Sequence, residues 1–147
     1  MIREKQIVID AINQKAPLIA GTADKIWEYA ELSLQEYKSA ALYCETLEKE
    51  GFQVQKGIAG IETAFCASFG SGRPVIGILA EYDALSGLSQ KSGSLKQEEI
   101  VAGGNGHGCG HNLLGAGAMA AAIGVKAFLE ESKCPGTVIL YGCPGEE

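Results

Sequence analysis

With 147 residues, 46% of them apolar and 20% charged, the chain has the composition of one ordinary globular domain and is long enough to bury a core. A net charge of −6 and few aromatics argue against nucleic acid and anionic membrane surfaces as partners, because those need a basic face or stacking platforms. The five cysteines show no disulfide spacing, and Met1-Ile2-Arg3-Glu4-Lys5 opens no apolar leader, so a reducing, cytoplasmic setting is the default expectation.

Residues 2 to about 20 read as a helix, with Ile2, Ile9, Ile12 and Ala16 near helical spacing and Pro17 weakening its end. Gly21-Thr22 reads as a stop and a new N-cap, followed by a helix with Ile26, Trp27 and Ala30 on its apolar side. A third helix is expected over 36–50. Its buried stripe is Ala40, Ala41, Tyr43, Cys44 and Leu47, and Gly51 stands at C′. Residues 52–56 and 63–69 alternate like strands, with glycines between them. Val75 to Ala80 is continuously apolar, which suits a strand buried on both faces in the middle of an α/β sheet.

Residues 86–108 read as a long polar, glycine-rich loop, a length that signals function or disorder. A helix over 112–131 follows, lined by glycine and alanine, which suggests close approach to its neighbours. Its uncharged run, Leu113 to Val125, is short for a bilayer span. Residues 137–141 form another apolar strand. Strand, loop, helix and strand make a βαβ unit, so Asp83 and the pair Glu146-Glu147 lie beyond the carboxyl ends of parallel strands, where open α/β sheets place their sites.

The chemistry concentrates in Asn105-Gly106-His107-Gly108-Cys109-Gly110-His111-Asn112, which holds both histidines of the chain. Thiolate, neutral imidazole and carboxylate form a donor set for a borderline-soft divalent metal. Cys109 and His111, two residues apart in extended backbone, would share a face and reach one ion. Glu147 would complete three protein ligands. Glu146, pointing elsewhere in a strand-like segment, would be free to act as a base on a water activated by the ion. Plainer readings exist for each piece. A Cys-x-His among glycines can be a tight turn, a Glu-Glu pair a solvated surface pair, and Asp83 a helix cap or turn residue. His107 fits loop shaping or substrate contact better than metal binding. Cys134 and Cys143 lack the Cys-x-x-Cys spacing of a structural zinc site, and the glycine run lacks a Gly-Lys-Ser/Thr phosphate signature.

Three segments carry a family resemblance: Leu79-Ala80-Glu81-Tyr82-Asp83-Ala84-Leu85, residues 104–112, and Gly142-Cys143-Pro144-Gly145-Glu146-Glu147. Glu31-Leu32-Ser33 with Glu36 adds a fourth, with Ala30 where proline is usual. The sequence resembles the dinuclear metal amidohydrolases that include aminoacylases, indole-acetyl-amino-acid hydrolases and p-aminobenzoyl-glutamate hydrolases, and is most similar to that last branch. Ser86 in place of proline and Asn112 in place of aspartate are its visible departures.

The resemblance implies an α/β fold, the three-layer αβα zinc-peptidase-like catalytic domain, with a mixed, mostly parallel sheet. It implies that 1–147 corresponds to the N-terminal portion of that domain, without the dimerisation domain and the later histidine ligands. By the same resemblance, Cys109, His111 and Glu147 are metal ligands and Glu146 is the general base. Asp83, His107 and Asn112 stand behind them or against substrate. The implied cofactor is a divalent metal, zinc or manganese: two ions in the complete enzyme, one or none here. The implied reaction is hydrolysis of an amide bond in N-acyl amino acids, dipeptides or p-aminobenzoyl-glutamate-like substrates, with a homo-oligomer possible. The alternative is a catalytically inert fragment that binds metal or a partner and self-associates through an open sheet edge.

Overall fold

The computed structural model describes residues 3–147. Helix α1 runs Arg3–Gln14 and α2 runs Ala16–Tyr29, so the break falls at Lys15 and not at Gly21-Thr22. Pro17 sits in the first turn of α2, where its missing N–H is no loss. Thr22 lies mid-helix and turns its hydroxyl back onto the Leu18 carbonyl. Helix α3 is Tyr37–Lys49, and its stripe Ala40, Tyr43, Cys44 and Leu47 is buried as expected.

Four strands follow: β1 Gln53–Lys56, β2 Phe65–Ser71, β3 Val75–Ala80 and, after helix α4 (His111–Ser132), β4 Gly136–Gly142. They form one mixed sheet in the order β1-β2-β4-β3. Parallel pairing is confined to β3–β4, while β1–β2 and β2–β4 are antiparallel. The expected α/β class with a mixed sheet is what the chain forms, but within this chain the sheet is not mostly parallel.

Helices α3 and α4 cover the face carrying Phe65, Ala67, Val138 and Leu140, and α1 and α2 pack on α4. The opposite face, with Leu79 and Tyr141, carries no helix among the described residues. The expectation that β3 lies mid-sheet is overturned. It is an edge strand, with Val75, Ile76 and Leu79 about half exposed or more at 56%, 48% and 61%. Its composition is that of an interior strand, while its position is not.

Helix α4 is longer than its uncharged run and, by length and composition alone, could cross a bilayer. Its burial against α1, α2 and the sheet accounts for that apolarity as a core helix. Two of its glycines provide the close approach read from the sequence. A Cβ at Gly115 would stand 2.4 Å from the Glu81 carbonyl oxygen, and one at Gly124 would meet Val8 at 2.7 Å. The first contact seats the start of α4 on the end of β3, at the functional edge.

Residues 86–110 contain no helix or long strand, as expected, yet they are internally bonded. Leu85 and Gly106 exchange both backbone hydrogen bonds at 3.0 Å, which closes the loop at its base. Ser89 accepts from Val101 N–H, and Lys91 pairs with Glu98.

Candidate metal centre

β3 ends at Ala80 and β4 at Gly142, and Cys143 N–H donates to the Ala80 carbonyl at 2.8 Å, so the two parallel strands finish side by side. The segments leaving them, 81–85 and 143–147, meet the first turn of α4. Gly110 adopts φ +89°, a conformation that favours glycine, and delivers His111 as the first helical residue. Cys109 and His111 therefore converge through a left-handed step and not through strand alternation. Sequence spacing alone could not distinguish the two.

His111 is 3% exposed and is the centre of the cluster. Its Nδ1 lies 2.8 Å from Asp83 Oδ1. A carboxylate only accepts, so Nδ1 carries the hydrogen and Nε2 keeps a lone pair, the arrangement that orients a metal-ligating histidine. Asp83 also accepts the Glu147 N–H at 2.9 Å and the Ser33 hydroxyl at 3.1 Å through Oδ2. Burial pushes the Asp83 carboxyl up, but these donors outweigh it and hold it below its ordinary value. The aspartate that could have been a turn residue is a buried, saturated anchor.

Nε2 faces three further carboxylates: Glu81 at 3.2 Å, Glu146 at 3.6 Å and Glu147 at 3.8 Å. Glu146 and Glu147 thus approach the same ring, in contrast to the expectation that they point apart. The segment after β4 is irregular and turns at Gly145 with φ +70°, so no strand alternation separates them. The donor atoms of Cys109, His111 and Glu147 lie within 4.8 Å of one another, and so do those of Glu81, His111 and Glu146. The exposed Cys109 thiol is pushed up from its ordinary value, first by hydrogen bonding with Glu147, then by desolvation and the charges of Glu147, Glu146 and Glu81. A thiol, an imidazole nitrogen and converging carboxylates fit a divalent cation.

The other two sequence candidates turn elsewhere. His107 Nε2 lies 3.0 Å from the Ile26 carbonyl, its Nδ1 is buried without a partner, and burial lowers its pKa. It borders a cleft of about 660 Å³ between the end of α2 and the 88–108 loop, with Trp27, Tyr29, Leu88 and Ile100 on its walls. Asn112 is buried and donates to the Ala23 carbonyl, tying α4 to α2.

The sequence reading missed the roles of two acids. Glu36 is fully buried, and its Oε1 accepts from Leu34 N–H and Gly145 N–H, each at 2.9 Å, which anchors the segment bearing Glu146-Glu147. Glu81 is the carboxylate nearest His111 Nε2 after Asp83 has taken the other nitrogen. Its place directly after β3, two residues before Asp83, was the available signal.

No family model matches the chain. Among curated proteins it is 49% identical over 142 residues to a p-aminobenzoyl-glutamate hydrolase chain of Escherichia coli, the second of that enzyme's two kinds of subunit, covering 97% of this chain and 30% of that protein. Among solved structures it is similar to a dinuclear metal-binding peptidase of the M20 family from Bacillus subtilis, at TM-score 0.64 and 26% identity over 87% of this chain and 34% of that one. A structure described as an aminohydrolase from methicillin-resistant Staphylococcus aureus shares the fold at TM-score 0.75 and 23% identity, over 97% of this chain and 35% of that one. The chain thus spans 30% of the length of this curated relative.

Proposed function

The chain belongs to the dinuclear metal-dependent amidohydrolase and peptidase family, and from that premise we propose that it carries the His111 half of a centre for amide hydrolysis. The substrate class proposed is an N-acyl amino acid, a dipeptide or a p-aminobenzoyl-glutamate-like amide, in line with the hydrolase activity that names the relative. The observation that carries the reading is His111 itself. A 3%-exposed imidazole is fixed by Asp83 on one nitrogen and turned by the other toward carboxylates at 3.2 to 3.8 Å. No lysine or arginine among the described residues pairs with Glu81, Glu146 or Glu147.

Cys109, His111 and Glu147 would hold the cation, zinc or manganese being the proposed metals. Such an ion, when bound, polarises an amide carbonyl and lowers the pKa of water. Glu146, 54% exposed at its side chain, is placed to take a proton from the attacking water and return it to the departing amine nitrogen. Asp83 fixes the histidine tautomer. His107 and the cleft beside it would meet the substrate, and Asn112 keeps the start of α4 in register. The test is metal content measured beside hydrolysis on the same preparations. Cys109→Ser should lose metal, whereas Glu146→Gln should keep metal and lose hydrolysis. Metal bound equally by wild type and Cys109→Ser would reject this ligand set.

The exposed β3 edge favours a second reading, a chain that self-associates or binds a partner without catalysis. Its test is sedimentation across a concentration series. Concentration-dependent association abolished by Ile76→Lys, together with no hydrolysis at any loading of metal, would favour it.

A further inference from the structure

Resting on the metal reading above, we propose that Glu81 is itself a metal ligand, giving a carboxylate oxygen to the divalent cation bound at His111 Nε2. Its Oε2 is 3.2 Å from that nitrogen, nearer than Glu146 at 3.6 Å or Glu147 at 3.8 Å. Donors to one ion stand a few ångströms apart around it, and Glu81 meets that condition together with His111 and Glu146.

The backbone beneath Glu81 is fixed from every side. Ala80 before it accepts from Cys143 N–H, and Ala84 beyond it donates to the Glu31 carbonyl at 2.8 Å. Tyr82, fully buried, donates its hydroxyl to the Thr63 carbonyl at 2.7 Å. The bare Cα of Gly115 lets α4 rest on the Glu81 carbonyl oxygen. A carboxylate on so constrained a segment is aimed by its surroundings, which is how metal ligands are held.

The carboxylate has no other use. Among the described residues it pairs with no lysine or arginine and accepts no hydrogen bond, and the ring is its sole ion-pair partner. Nε2 likewise makes no hydrogen bond of good geometry, although its side chain is almost wholly buried. Three carboxylates and a thiol around one lone pair repel one another unless a cation stands among them. Two sources of positive charge are available there: a second proton on His111, or a metal ion. Under the first, Glu81 is only a counter-ion of the imidazolium. Under the second, it is a ligand, and the donor set rises from Cys109, His111 and Glu147 to include it.

The two are separated by cobalt(II) binding to the purified chain, followed by visible absorption and titration calorimetry, at a pH of about 8 where a free imidazole is neutral. Wild type should bind cobalt with a thiolate-to-metal charge-transfer band. Glu81→Gln should weaken binding at least about tenfold and shift the ligand-field bands. Glu81→Asp should recover part of the affinity, and Glu45→Gln, an exposed acid on α3, should leave it unchanged. Circular dichroism checks that each variant is folded. If Cys109→Ser loses cobalt while Glu81→Gln binds it as wild type does, the proposal is overturned and the metal reading stands. Absence of cobalt binding by the folded wild-type chain overturns both.

Discussion

Two groups of acidic residues meet in one small region of this molecule and are used in opposite ways. Glu31 and Glu36 are occupied by backbone donors. Glu31 accepts Lys38 N–H and Ser39 N–H at 2.9 Å, with the Ser39 hydroxyl at 2.8 Å, and so caps the N-terminus of α3 from outside the helix. Glu36 holds Leu34 and Gly145 through one oxygen, although its other oxygen is buried without a partner. Glu81, Glu146 and Glu147 face an imidazole and one another, with no cationic side chain beside them. Asp83 stands between the groups: it is saturated by Ser33, the Glu147 N–H and His111, and through the last it orients the centre. Acceptor capacity left unused at a structured, partly buried place distinguishes a candidate ligand from a structural acid, and residue type does not.

The largest effect that would sharpen this contrast is on chemistry. Glu146→Gln should lower amide hydrolysis by roughly 10²–10⁴-fold, the usual worth of a positioned base, with melting temperature and metal content unchanged. Loss of metal in that variant would move Glu146 into the ligand set and break the proposed division between adjacent acids.

Next comes the structural acid that touches the site. Glu36→Ala orphans the Leu34 and Gly145 N–H groups at about 1–3 kcal/mol each, offset in part because the partnerless Oε2 leaves as well. Urea unfolding should show the loss, and metal content should fall with it because Gly145 no longer fixes the two residues that follow. Glu31→Ala should cost about 0.5–2 kcal/mol, the range of a lost helix cap, and leave metal content alone. Metal loss in the Glu31 variant, or its retention in a destabilised Glu36 variant, would blur the line between the groups.

Much of this was legible in the sequence, for reasons that also explain what was not. The βαβ order placed Asp83 and Glu146-Glu147 at one edge, and parallel pairing of β3 with β4 puts them there. The donor types at Cys109 and His111 pointed to a metal before any coordinate was known. The position of β3 in the sheet was not legible, since a run such as Val75 to Ala80 reads the same whether a neighbour is present or not. Local geometry was also hidden: Gly110 and Gly145 adopt positive φ, and that brings Cys109 to His111 and turns both terminal glutamates toward one ring. Glu31, Glu36 and Glu81 look alike in sequence because the donors that separate them come from other segments.

The smallest effect expected is also the one with the clearest sign. In the metal-free chain at a pH near 8, Glu147→Gln removes one charge from a cluster of like charges. It keeps the backbone N–H that Asp83 accepts, so stability should stay level or rise by a few tenths of a kcal/mol. Glu31 substitution has the opposite sign because its charge faces helix N–H donors. Adding zinc at about 100 times its dissociation constant should then stabilise wild type by about 2.7 kcal/mol. Glu147→Gln, with a ligand gone, should gain much less. Thermal melts of both chains with and without metal read both signs in one experiment. A Glu147 variant that is less stable without metal and gains as much from it as wild type would put this residue with Glu31 and Glu36, and would leave Cys109, His111 and Glu81 as the donors that matter.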